Sequence, residues 1–274
     1  MRQIISITLL SLVFLPTISL ATDVGGIIWT DTTWDLARSP FMITKEVQTA
    51  EGVTLNIEPG VVVNTPGYTG GAGIGATISI WGTLRAVETE ISKIVFNGVY
   101  LYCFSPDTSI LSVQYAQYNG GQIYIDAKTA TIKNSKFEDT AWFWINLNIE
   151  NASTYIEENI FVRTGSIRNF PRTNGIISIR NNAIYDQIGF DGEGAISIAD
   201  CQYQDSVAIK YNSFLSNSKI AVSFISVSHE SQVKKIDLTN NYWNTDNSTT
   251  IDSMILDRND NLGCFTYVSQ RPPA

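Results

Sequence analysis

The sequence predicts an all-β fold built as a solenoid of stacked coils. Three observations predict it. Helical periodicity is almost absent from the 274 residues, and short β-branched runs alternate with Gly, Asn, Asp and Ser instead. One register recurs: a branched apolar residue, two residues of any kind, Asn, one of any kind, then a large apolar residue. The copies follow one another at a near-constant interval, the signature of a repeat architecture.

Residues 1–21 read as a secretory signal peptide. Arg2 gives a positive start, Ile4 to Leu15 is an apolar run, and Ser19-Leu20-Ala21 is a small-x-small cleavage site. The run is too short for a membrane span, and no second run of membrane length follows. The expected mature chain, 22–274, is extracytoplasmic, in the periplasm, at the cell surface or fully secreted, with no membrane insertion. Without Arg2 it carries 17 basic against 26 acidic residues. Such an acidic chain lacks the basic surface that nucleic acid requires. Cys103, Cys201 and Cys264 are too few for a disulfide scaffold and read as buried small hydrophobes, with a Cys201–Cys264 bridge as the alternative. His229 is the only histidine, so no zinc spacing and no Ser/His/Asp grouping is legible.

The first expected strands are "LNIEPGVVV" (55–63) and "ISIWGTLRA" (78–86). Between them, "GYTGGAGIG" (67–75) reads as a flexible protrusion. It is no phosphate cradle, because no Lys-Ser/Thr and no helix follow it. The repeat comes next. Its copies are Val113-Ala116-Tyr118, Ile132-Ser135-Phe137, Ile156-Asn159-Phe161, Ile179-Asn182-Ile184, Ile209-Asn212-Phe214 and Leu238-Asn241-Trp243. They start 19, 24, 23, 30 and 29 residues apart. One coil cannot bury its apolar face, whereas stacked coils bury a continuous column. Asn159, Asn182, Asn212 and Asn241 are expected to tolerate a left-handed bend and to bond one another as a ladder. Ordinary turn asparagines in a β-sandwich are the alternative.

These residues carry a resemblance. "WTDTTWDLARSPFMITKEVQTAEGVTLNIEPGVVV" (29–63) with "IWGTLRAVETEISKIVF" (80–96) resembles the opening coils of secreted bacterial and archaeal right-handed parallel β-helix proteins, the pectin-lyase-like fold. "NNYWNTDNSTTIDSMILDRNDNLGCFTYV" (240–268) resembles their closing unit, with Asn244 where Gly is usual. The resemblance implies one single-stranded right-handed parallel β-helix with N- and C-terminal caps: a cap at about 22–52, coils at about 53–243 and a second cap at about 244–274. Asn at 244 keeps the left-handed bend. One short helix is expected within 251–260, capped by Thr250 or Asp252.

Chemistry is less legible. Asn244-Thr245-Asp246 matches a tripeptide of β-helical polygalacturonases. The Asp-Asp pair and Gly-His-Gly that accompany it there are missing, and hydrolysis needs two carboxylates. The match therefore reads as coincidence, and no catalytic residue is assigned. A lyase site is the alternative. Arg163, Arg168, Arg172 and Arg180 lie in an acid-free stretch, and Asp186, Asp191 and Glu193 follow it, with Asp200 and Asp205 beyond. Arg180 with Asp186, Asp191 and Glu193 is the lyase-type candidate set, and Ca²⁺ is the one ion that loop suits; no metal site is otherwise assigned. The leading candidate is "AWFWINLNIE" (141–150). Alternation points Phe143, Ile145, Leu147 and Ile149 inward and Trp142, Trp144, Asn146 and Asn148 outward. Rings beside amides suit sugar faces and hydroxyls, unless a loop containing Phe170-Pro171 covers them. The expected function is a non-catalytic solenoid binding carbohydrate or another surface polymer. A divergent polysaccharide lyase or hydrolase, and a structural envelope or adhesin module, are the alternatives.

Overall fold

The computed structural model describes residues 20–71, 75–87, 89–105, 107–148, 150–171, 173–188, 193–200, 207–216, 220–226, 234–260, 264 and 266–270. The expected signal peptide therefore lies almost wholly outside the described residues. So do Arg172, Asp191, Cys201, Asp205 and His229, and with Cys201 the question of its bridge.

The chain is a parallel β-helix. Its first face is an eight-stranded sheet, Thr32–Trp34, Thr54–Ile57, Thr83–Val87, Ile110–Gln114, Thr129–Lys133, Ser153–Glu157, Ile176–Arg180 and Val207–Lys210. A seventeen-stranded sheet forms the other two faces. Phe41–Thr49 bridges them, its start pairing with Val62–Asn64 and its end with Ala76–Ile80. The second face continues through Ile94–Asn97, Ala116–Asn119, Lys136–Glu138, Ile160–Val162, Ala183–Tyr185 and Ser213–Phe214. The third continues through Val99–Cys103, Gln122–Ile125, Phe143–Leu147, Ile167–Pro171, Ile196–Asp200, Val222–Ser226 and Ile255–Leu256. From Thr54 to Ser226 each coil gives one strand to each face, and neighbouring coils sit about 4.8 Å apart.

Constant register turns each inward position into a column. Ala86, Val113, Ile132, Ile156, Ile179 and Ile209 align on the first face, each at most 1% exposed. Phe96, Tyr118, Phe137 and Phe161 align on the second, with ring centroids 5.3, 5.7 and 5.2 Å apart. Tyr118 is wholly buried, and its hydroxyl donates to the Val99 carbonyl. A buried phenol needs such a partner.

The bend between the first and second faces is set by two residues. The left-handed one precedes the Asn: Tyr115, Asn134, Glu158, Asn181, Tyr211 and Asn240 have φ of 54°, 51°, 60°, 55°, 60° and 63°. The left-handed strain thus falls one residue before Asn159, Asn182, Asn212 and Asn241 and not, as expected, on them. The Asn turns its amide into the stack instead. Asn182 Oδ1 accepts from the Asn159 backbone N–H at 3.0 Å and from Asn159 Nδ2 at 3.1 Å. Asn182 Nδ2 donates to the Ile156 carbonyl at 2.8 Å and to Asn212 Oδ1 at 3.0 Å. Asn212 repeats the pattern onto Asn241, at 2.9 and 3.1 Å. Toward the N-terminus the column continues with Ser135 N–H donating to Asn159 Oδ1 at 3.0 Å and Ala116 N–H to Ser135 Oγ at 3.0 Å. A left-handed non-glycine residue costs about 1–2 kcal/mol. The column offsets that cost by satisfying backbone groups the bend would otherwise bury unpaired.

Two local expectations are adjusted and a third is met. The short helix spans Ser248–Ser253 and is capped by Asn247, whose Oδ1 accepts the Thr250 N–H at 3.0 Å. It ends early because Ile255–Leu256 returns to pair with Val222 and Ser223. In the Gly-rich segment the described part does not project freely, since Tyr68 and Gly71 lie against Gly120, and residues 72–74 lie outside the described residues. Asn244 adopts φ 56°, the left-handed bend expected of it. Cys103 and Cys264 are buried; burial pushes the Cys103 thiol up to about 11, and the Cys264 thiol donates to the Phe224 carbonyl at 3.2 Å. Among the described residues no helix is long and apolar enough to cross a membrane.

Asn182→Ala strips partners from a buried N–H, a buried carbonyl and two neighbouring amides. We expect a loss of about 3 kcal/mol in urea unfolding, whereas Asn181→Gly, at the left-handed position, stays within about 1 kcal/mol of the parent.

Candidate functional site

The third face carries the most distinctive outer surface. Its strands alternate inward and outward, so register stacks outward side chains too. Tyr102, Tyr124, Trp144 and Arg168 occupy one outward column on four successive coils. Tyr100, Phe104 and Phe170 extend the aromatic surface sideways. Centroids are 5.4 Å apart for Tyr102–Phe104, 5.5 Å for Phe104–Tyr124, 6.5 Å for Tyr124–Trp144 and 5.0 Å for Trp144–Phe170. Trp81 joins at 6.0 Å from Phe104 and is 40% exposed. The strip thus crosses five coils, about 19 Å along the axis at the coil spacing.

Within it lies a concavity of about 280 Å³ lined by Tyr102, Phe104, Gln122, Ile123, Tyr124, Trp142 and Trp144. Its walls are rings. The Gln122 amide and the two tyrosine hydroxyls are among its polar groups. Gln122 Nε2 donates to the Tyr102 hydroxyl. Burial, and secondarily Tyr100, pushes the Tyr102 phenol above its ordinary value, so it stays a neutral hydroxyl.

Trp142 and Trp144 are half-buried. The Phe170-Pro171 segment does not cover them as a loop. It belongs to the strand Ile167–Pro171, and Phe170 stacks beside Trp144 at an interplanar angle of 15°. That uses one broad side of the Trp144 ring. The Arg168 guanidinium lies 5.7 Å from the Trp142 centroid and 5.2 Å from that of Trp144. Glu193 holds it in a two-point pair, Nε–Oε2 at 3.0 Å and Nη2–Oε1 at 2.5 Å. Both side chains are under 20% exposed, so the charge over the rings is compensated.

Asn146 and Asn148 are placed differently from each other. Asn146 is only 6% exposed, and its Nδ2 donates to the Tyr124 hydroxyl at 2.6 Å. Its Oδ1 has no hydrogen-bond partner among the described residues. Asn148 is exposed and donates to Asp126. Phe143 and Ile145 are fully buried.

Arg180, Asp186 and Glu193 lie at three separate places. Arg180 ends a strand of the first face and is exposed. Asp186 sits at the bend after Ala183–Tyr185, with φ 45°, its backbone N–H donating to Ser216. Glu193 is on the third face, paired with Arg168 rather than with Arg180. Asp191 lies outside the described residues. Among those described, no three His, Cys, Asp or Glu side chains gather as a metal site. Arg163 holds Asp139 at 2.8 Å and Glu138 at 2.7 Å. In the Asn244-Thr245-Asp246 tripeptide, Thr245 Oγ1 accepts the Asn247 N–H at 3.1 Å, and Asp246 is the sole carboxylate of the hollow beside it among the described residues.

Sequence reasoning did not single out Tyr102, Phe104 or Tyr124, and it named Phe170 only as part of a covering loop. The signal was present in "VYLYCF" (99–104) and "QIYI" (122–125), where alternation puts rings at outward positions. Aligning those positions across coils needs the register of the third face, which the Asn motif between the other two faces does not give.

No family model, curated protein or solved structure matches the chain, so function is read from this geometry. Removing the guanidinium bares the two indoles. Arg168→Ala is expected to raise acrylamide quenching of tryptophan fluorescence, and the increase should vanish in a Trp142→Phe/Trp144→Phe background.

Proposed function

We propose that this protein is an exported, non-catalytic β-helix that binds carbohydrate on its third face. The observation that carries the reading is the ring-lined concavity between Trp142, Trp144, Tyr102, Phe104 and Tyr124. Exposed aromatic surface of this extent is costly without a use. Rings offer flat apolar contact to the C–H faces of a sugar, and Gln122 with the tyrosine hydroxyls offers hydrogen bonds at the edge. Asn146, buried behind the rings, steadies the Tyr124 hydroxyl by donating to it from Nδ2. Several coils share the surface, so an extended chain of sugars fits better than one small molecule.

The surrounding charges favour binding over cleavage. A glycosidase needs one carboxyl kept protonated and a second kept ionised, and a lyase needs a base beside a cation that holds the substrate carboxylate. Glu193 and Arg168 neutralise each other. Glu138 is committed to Lys136 and Arg163, and Asp237 to Lys210. Arg180 and Asp186 stand away from the rings.

The test is a glycan-array measurement on the protein from residue 22 onward, with and without Ca²⁺, beside the Trp142→Ala/Trp144→Ala double variant. The same glycans are scanned by ultraviolet absorbance for new unsaturated ends. Binding that falls about tenfold or more in the double variant, with no rise in absorbance, supports the reading. A Ca²⁺-dependent rise would replace it with a lyase. Silence in both channels would leave a structural solenoid.

A further inference from the structure

A second hollow, on another face, uses none of the residues of the aromatic concavity. It measures about 650 Å³ and lies between the arm Gly67–Gly70 and the second face. Its floor is a column of amides that the repeat motif did not reveal. Asn64, Asn97 and Asn119 are in register on successive coils. Asn97 Nδ2 donates to Asn64 Oδ1 at 2.8 Å, and Asn119 Nδ2 to Asn97 Oδ1 at 2.8 Å. Unlike the buried Asn column, this one is half-exposed. Each side-chain amide has two N–H groups, and the column uses one from Asn97 and one from Asn119. All three asparagines line the hollow. Next in register after Asn119 comes Glu138, followed by Asp139.

The arm forms the wall and is held in place. Thr65 Oγ1 donates to the Gly98 carbonyl at 2.7 Å and accepts the Ala76 N–H at 2.9 Å, closing the base of the excursion. At its far end the arm rests on Gly120, which has φ +67°. A Cβ there would stand 2.3 Å from the Tyr68 hydroxyl and 2.5 Å from the Gly71 carbonyl oxygen. Only glycine lets the arm down. Burial, then the nearby Asp139 charge, pushes the Tyr68 phenol up and keeps it protonated.

The charges select the ligand class. An anion meets Glu138 and Asp139. A cation finds both already occupied, Glu138 by Lys136 and Arg163, and Asp139 by Arg163. Hydrogen bonds from Lys136 first, then Arg163, hold the Glu138 carboxyl below its ordinary value, so it remains an acceptor. An apolar group would strip water from a row of amides without replacing it. We propose that this hollow binds a neutral, hydroxyl-rich ligand, a sugar residue or short glycan segment. Hydroxyls donate to the carboxylates and accept from the amides, and Tyr68 supplies a ring. The amides repeat at the coil spacing, about 4.8 Å, so the ligand lies along the axis.

The experiment is NMR of the side-chain amide signals of Asn64, Asn97 and Asn119, in the parent and in the Trp142→Ala/Trp144→Ala variant. Cellohexaose, xylohexaose and mannohexaose are titrated, with a heparin hexasaccharide and spermidine as charged controls. The expected result is a saturable shift with a neutral hexasaccharide in both proteins. Tyr68→Ala then weakens it about tenfold, as does Asn64→Ala, which removes the terminal amide without disturbing the arm. Persistence in the double Trp variant separates this site from the aromatic one. The proposal is overturned by no shift with any neutral hexasaccharide, by shifts with heparin or spermidine instead, or by both single variants binding as the parent does.

Discussion

Every coil has to turn the same corner at the same height, and the buried amide column from Ala116 to Asn241 enforces this. Parallel strands bond only if successive coils stay in register. A left-handed residue makes the turn sharp, and the following Ser or Asn catches the backbone N–H of the coil before it. Strain and satisfaction sit on adjacent residues. Without the amide, the corner would bury unpaired backbone groups in the wall of the core. The apolar columns depend on it, because Phe96 meets Tyr118, and Phe137 meets Phe161, only while coils align.

The same register governs the outside. In a solenoid, a residue type chosen for one coil and repeated in the next becomes a stripe along the axis. The third face turns this into an aromatic strip from Trp81 to Phe170. The second face turns it into a row of amides from Asn64 to Asn119. These are two surfaces of different chemistry on neighbouring faces of one prism. Gly75 and Gly120 bring a single arm close to both, since a Cβ on Gly75 would collide with Tyr100 of the aromatic strip and one on Gly120 with Tyr68 over the amides.

Charge is handled by pairing across coils. Lys133 meets Glu157, Arg163 meets Glu138 and Asp139, Arg168 meets Glu193, and Lys210 meets Asp237. The exposed pairs contribute little stability each. Their larger effect is on function: within the described residues they leave the acidic chain few uncommitted carboxylates beside the candidate surfaces. The Arg168–Glu193 pair, among the least exposed, also fixes the edge of the ring-lined concavity by holding a guanidinium against both indoles.

The sequence by itself determined the solenoid. The apolar-x-x-Asn-x-apolar motif is local, and its spacing reports coil length directly, so fold class and the members of the buried column were legible. The bend at Asn244 was legible for the same reason, because a left-handed residue leaves a mark in composition. Local chemistry also showed that Trp142 and Trp144 alternate away from Phe143 and Ile145. What the tertiary structure decided is everything that depends on which residues of different coils meet. Coil lengths vary between repeats, so the partners of an outward residue cannot be counted off from the Asn motif. Register placed Phe170 against Trp144, joined Arg168 to Glu193 instead of Arg180, buried Asn146, and laid the Gly-rich arm over an amide row. A one-dimensional pattern fixes the period of a stack, while contacts across its faces depend on how irregular insertions pack between periods.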